Sequence, residues 1–143
     1  MSYQLERVID PDLLEKQDKV IRHGIINFNE PFTGAKPERY SIYAKNNEDK
    51  IIGGCIVYAF PSSIYVDVLW VSEEQRGLGI GAELLLSVES EAINRGIPTS
   101  TLDTFSFQAE RFYLKQGYEY LGTIKNYIDG HDRIYLRKQL VVS

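Results

Sequence analysis

The chain is poor in several residue types, and each shortage excludes something. Its 143 residues hold one cysteine, one methionine, one tryptophan and two histidines. A single cysteine, Cys55, rules out an internal disulfide, and a reducing cytoplasm is the expected compartment; no metal is expected. Cys55 sits in an apolar run and reads as a small buried hydrophobe. Basic clusters are missing too: none is longer than Arg137-Lys138, and the net charge is −4, which excludes the electrostatic footprint of a nucleic-acid or anionic-membrane binder. The longest near-apolar stretch, Ile51 to Phe60, is half the length that spans a bilayer, and Met1-Ser2-Tyr3-Gln4 lacks the apolar core of a signal peptide. No repeat or low-complexity segment is present. What remains is a folded composition, 43% apolar and 12% aromatic, at a length that suits one domain over residues 1–143, with an acidic balance that favours cationic substrates.

Periodicity divides the chain. Tyr3 to Val8 alternates as a half-buried edge strand, and Asp10-Pro11 then offers an N-cap with proline at the first helical position. Leu13, Leu14, Val20, Ile21, Ile25 and Ile26 give that helix an apolar stripe as far as Asn27, expected to be core. Asn29 to Pro37, with two prolines and a glycine, reads as an irregular connection or a short second helix. Glu38 to Lys45 and Lys50 to Phe60 form a β-hairpin about Asn46-Asn47-Glu48-Asp49, and Ile64 to Val71 is a third strand. Ala82 to Asn94 is a helix, Thr99 to Asp103 a strand, Ser106 to Gln116 a helix, and Tyr118 to Ile124 and Arg133 to Leu140 are strands linked by Asn126 to Asp132. The order is β-α-β-β-β-α-β-α-β-β. It implies an α/β protein with a mixed, mostly antiparallel sheet of about seven strands and helices on both faces.

Between the strand ending at Val71 and the helix from Ala82 lies Gln75-Arg76-Gly77-Leu78-Gly79-Ile80-Gly81. Glycines at alternate positions remove the Cβ atoms that keep a ligand from the backbone, and a helix N-terminus brings unpaired N–H groups and a partial positive charge, which together suit a phosphate. From Val71 to Gly81 the segment resembles the pyrophosphate-binding V-x-P-x-[YQ]-R-[GQ]-x-G-x-[GA] signature of the Gcn5-related N-acetyltransferases. A second segment, Phe107 to Tyr118, is similar to that family's N-x-x-A-x-x-[LF]-Y-x-x-x-G-[FY] pattern, in the right order and spacing. The resemblance covers nearly the whole chain and implies transfer of an acetyl group from acetyl-CoA directly to a primary amine of a small molecule.

It also implies roles. Gln75, Arg76, Gly77, Leu78, Gly79, Ile80, Gly81 and Ala82 would cradle the pyrophosphate. Leu69, Trp70 and Val71 would meet the pantetheine arm where the strand splays at a bulge, with Leu69 and Val71 supplying backbone groups. Ser106 and Ala109 would touch the cofactor, although the family often has asparagine where this chain has Ser106. Tyr113 would protonate the leaving thiolate, a slightly uphill transfer from a phenol near pKa ~10 to a thiol near ~8.5. An amine near pKa ~10 is mostly ammonium at neutral pH, so a base is needed. Asp67, four residues before Val71 where many relatives carry glutamate, is the first candidate, and His131, in the Gly130-His131-Asp132 turn, is the second.

Two other readings stay open at this point. A coenzyme-A-binding module without catalysis would keep the same loop. A dinucleotide-binding oxidoreductase would share strand, glycines and helix, with Asp103 downstream, but the glycines run G-x-G-x-G and begin beyond the strand's end. No motif names the acceptor amine, so small amine, antibiotic, amino acid and protein N-terminus all stay open, and a homodimer is possible.

Overall fold

The computed structural model describes residues 1–141, which form two compact units, the first Met1–Lys36 and the second starting at Pro37. The first unit holds one helix, α1 (Pro11–Thr33). Its start is as the sequence implies: Asp10 is extended, its carboxylate accepts from the Leu13 N–H at 3.1 Å, and Pro11 follows. Its end is not. The helix runs through Pro31 to Thr33, so Asn29 to Thr33 is no irregular connection; one proline costs one backbone bond, and the turn closes instead on Gly34, whose N–H reaches Glu30 O at 2.8 Å with φ at +76°. No residue of α1 is buried, so its apolar stripe is not core, because a unit of one helix has nothing of its own to bury a stripe against. Tyr3 to Val8 forms no strand, since alternation marks a segment able to pair and a strand also needs a partner backbone.

The second unit therefore carries six strands and not seven. In chain order they are β1 (Glu38–Lys45), β2 (Ile51–Ala59), β3 (Ile64–Val71), β4 (Thr99–Phe105), β5 (Glu119–Ile128) and β6 (His131–Gln139), with α2 (Ile80–Asn94) and α3 (Glu110–Lys115) between β3 and β5. The sheet order is β1-β2-β3-β4-β6-β5, antiparallel except for β3 with β4. Alternation supplies the core: Cys55, Val57 and Ala59 on β2, Ile64 and Val66 on β3, Leu102 on β4 and Ile134 and Leu136 on β6 point to one face, where α2 buries Leu84, Leu85, Val88 and Ala92 and α3 buries Tyr113. Cys55 is fully buried, as expected, and burial pushes its thiol up to about 12. A charged network also lies in this core: Glu89 of α2 accepts from Lys138 Nζ at 2.7 Å and from the Tyr118 hydroxyl at 2.9 Å, and Tyr118 meets Ser100 Oγ at 2.7 Å. No helix among the described residues is long and apolar enough to cross a membrane.

One irregularity positions the site. The β2–β3 register runs Ile56↔Val68 and then Val57↔Val66, which leaves Asp67 as the extra residue of a bulge. The β3–β4 ladder stops at the same place. It pairs Ile64↔Ser100, Tyr65↔Thr101 and Val66↔Leu102, although β4 continues to Phe105 and β3 to Val71. The two central strands separate beyond that rung.

Candidate active site

Separation leaves Asp67 to Val71 paired only to β2. Ser72 N–H donates to Ile52 O at 2.8 Å, so by alternation the peptide groups of Val71 and Leu69 face away from β2, into the gap. The Val71 carbonyl there accepts from Arg76 Nε at 3.1 Å.

Beside the gap is a cavity of about 460 Å³ lined by Leu69, Val71, Gln75, Arg76, Gly77, Gly79, Ile80, Gly81, Ala82, Ala109 and Phe112. Every candidate cofactor residue is on this wall except Trp70, Leu78 and Ser106. Trp70 alternates away from Leu69 and Val71 and is half exposed, and Leu78 projects outward from the glycine loop. Ser106 is engaged elsewhere: its Oγ accepts from Asp132 N–H at 2.9 Å and its own N–H donates to Asp132 O, tying the end of β4 to β6. Phe112 was not singled out from the sequence, although the aromatic beside the tyrosine in the second motif was the available signal. Its ring lies 3.6 Å from where a Gly81 Cβ would be, an ordinary contact, so neither packing nor backbone angle requires the third glycine, whereas Gly77 and Gly79 hold φ at +81° and +86°. Gly79 caps α2, whose first N–H groups, at Ile80, Gly81 and Ala82, have no partner within the helix and border the cavity.

Tyr113 is 7% exposed, with its ring edge-on to Phe112 and Tyr118. Burial, with smaller contributions from Cys55 and Asp103, pushes its phenol up to about 12. In water that would be a poor acid for a thiolate.

The two base candidates are not brought together. Asp67 is exposed at the bulge, one residue past the Val66↔Leu102 rung. That rung continues to Leu136 on β6, and His131 lies five residues before Leu136, on the order of 13 Å further along the sheet than Asp67. His131 is also not in a turn: it opens β6, paired with Ile128 and edge-on to Phe107 at 4.8 Å, because β5 runs on to Ile128 and the hairpin turns at Asp129-Gly130, both with positive φ.

A strand that splays at a bulge, an apolar cleft and a glycine loop capping a helix are the arrangement that the sequence resemblance implied. Comparison with known proteins identifies the family. The family model described as Acetyltransferase (GNAT) family matches residues 6–118. The chain belongs to the acetyltransferase (GNAT) family. A blasticidin-S acetyltransferase of Streptomyces morookaense is 33% identical over 112 residues, 77% of this chain and 82% of that protein. An acetyltransferase of Agrobacterium fabrum is 29% identical over 140 residues, 97% of this chain and 99% of its own. Among solved structures, an acetyltransferase from Agrobacterium tumefaciens superposes with a TM-score of 0.84 at 28% identity, covering 97% of this chain and 99% of the other. As a member of the GNAT family, the chain is an N-acetyltransferase.

Proposed function

We propose that this GNAT protein moves the acetyl group of acetyl-CoA directly to a primary amine of a small molecule. The observation that carries this is the continuity of the 460 Å³ cavity with the unpaired half of β3: a phosphate-binding loop at one end and free backbone groups at the other fit an elongated acyl thioester. The pyrophosphate would take the N–H groups from Arg76 to Ala82. The pantetheine arm would replace Arg76 at the Val71 carbonyl, and an N–H of Leu69 or Val71 would meet the developing oxyanion, a contact worth a few kcal/mol in other acyl-transfer enzymes. Tyr113 would return the proton to the leaving sulfur. Asp67, nearer the gap than His131, would hold the ammonium and pass its proton through water. The relative named for blasticidin S supports a small-molecule acceptor.

Release of free thiol from acetyl-CoA across a panel of primary amines tests the reading. Amine-dependent release supports it. Binding of acetyl-CoA with no release over any amine would leave a coenzyme-A-binding module, and no binding would remove the cavity assignment.

A further inference from the structure

The face of the sheet opposite the core carries a second cluster. Ile134 and Leu136 point into the core, so Arg133 and Tyr135 alternate to the other face, and Asp103, cross-strand from Tyr135, joins them from β4. Arg133 Nε donates to Asp103 Oδ1 at 2.9 Å, and its terminal nitrogen donates to the Tyr127 hydroxyl at 2.9 Å. The guanidinium lies 4.9 Å from the Tyr127 ring centre and 5.4 Å from that of Tyr135. Tyr65 donates to the other Asp103 oxygen. Asp103, Tyr127 and Tyr135 thus hold the arginine directly and Tyr65 braces Asp103, while the second terminal nitrogen of Arg133 has no partner among the described residues. An arginine whose orientation is already fixed loses little freedom when its remaining donors take a planar, bidentate anion, and a carboxylate matches that fork.

The place of this cluster gives it a use. Asp103 is one residue past the Val66↔Leu102 rung on β4, and Asp67 is one residue past it on β3. The cluster thus stands at the mouth of the same gap as Asp67, on the sheet face away from α2, α3 and the cofactor cavity. Where the strands are paired, β3 to β6 is two strand spacings, about 10 Å, and the parting of β3 from β4 makes this a lower bound at Asp67. A fully extended chain of three residues also spans about 10 Å.

We propose that Arg133 is a specificity residue that takes a carboxylate of the acceptor while the reactive amine sits at Asp67, so that the acceptors are short zwitterions with amine and carboxylate about 10 Å or more apart, of which the tripeptide is the shortest peptide model. This rests on the acetyltransferase reading of the gap. Tyr65 and Asp103 are positioning residues that act through Arg133.

The test compares triglycine with triglycine amide as acceptors of acetyl-CoA, with an uncharged-tail amine, benzylamine, as the control. Wild type should show kcat/KM for triglycine roughly 10- to 100-fold above the amide, the range of a charge-assisted hydrogen bond, and mostly through KM. Arg133→Gln should remove that preference by raising KM for triglycine while leaving acetyl-CoA affinity and the benzylamine rate as they were; Arg133→Lys should restore part of it. Equal rates for acid and amide in wild type overturn the proposal without any variant, even if Arg133→Gln fails to fold. Turnover of benzylamine but of neither peptide overturns it while leaving the acetyltransferase reading intact. Loss of all acceptors together with acetyl-CoA binding would take both down.

Discussion

The two halves of β3 differ by one residue in pairing and entirely in use. Ile64 to Val66 is bonded to β2 on one side and β4 on the other, with Ile64 and Val66 buried; Asp67 to Val71 keeps only β2, begins with an exposed bulge carboxylate and borders the cavity. A strand satisfied on both edges has no backbone group free for a ligand. A strand with one open edge holds backbone groups that must find another partner, here Arg76 at the Val71 carbonyl, and in the proposed reaction a thioester arm. One strand thus serves as scaffold up to Val66 and as site beyond it.

The largest expected effect sharpens that contrast from the core side. Tyr113 is as buried as the first half of β3, yet its assigned work is at the gap. Tyr113→Phe should slow turnover by roughly 10²- to 10⁴-fold with little change in melting temperature or acetyl-CoA affinity. Its pH behaviour follows from the raised pKa. The acid form donates, and a phenol held near about 12 stays protonated as pH rises, so wild type should show no loss of rate from Tyr113 ionisation until pH nears that value. A descending limb between pH 8 and pH 10 that Tyr113→Phe abolished would contradict the assignment. Next comes Ile64→Ala in the doubly paired half. It should cost about 2–5 kcal/mol of stability by denaturant titration, while kcat/KM per folded molecule stays at the wild-type value. Lost activity in molecules shown to be folded would break the division into scaffold and site.

Legibility in the sequence follows the same division. Period and turn chemistry were enough for β1 and β3, whose ends match the expected ones, and for the N-cap at Asp10, because these depend on local patterns. The glycine loop was legible because φ values of +81° and +86° at Gly77 and Gly79 require that residue. Three features were not. Tyr3 to Val8 alternates yet has no strand partner, the α1 stripe has no core of its own, and the reach of β5 to Ile128 depends on its pairing with β6; each is decided by a partner that the local pattern does not name. Ser106 shows the same limit within the site: its motif position suggested the cofactor, while Asp132, remote in sequence, takes both its polar groups. The Asp103–Arg133 cluster was invisible for that reason too, since its members come from four strands.

Gly79→Val probes the loop that follows the open half. A β-branched residue at a φ of +86° costs about 1–3 kcal/mol of strain, and relief of that strain would turn the α2 N–H groups away from the phosphates. Acetyl-CoA affinity by calorimetry should fall about 10- to 100-fold. Gly81→Ala, whose Cβ would sit at ordinary contact distance from Phe112, should bind nearly as wild type. Equal affinity in Gly79→Val and wild type would detach the loop from the cofactor.

The smallest effect is asked of Asp67, where the two halves meet. The side chain is exposed and has no ion-pair or hydrogen-bond partner among the described residues, so Asp67→Asn should change stability by no more than about 0.5 kcal/mol. What it removes is a negative charge at the mouth of the gap in a chain of net charge −4. A cationic amine drawn there by that charge should be captured less well, with kcat/KM reduced by on the order of tenfold or less and mainly through KM. Salt separates this from a change of shape. Wild-type kcat/KM should fall as ionic strength rises to physiological, where the Debye length is about 8 Å, and Asp67→Asn should be nearly flat over the same range. Parallel salt curves for the two proteins would mean that the attraction comes from elsewhere. The base and the ammonium contact would then have to be sought at His131, which lies on the far strand near the hairpin, and the acceptor would have to bind further along β6 than the bulge.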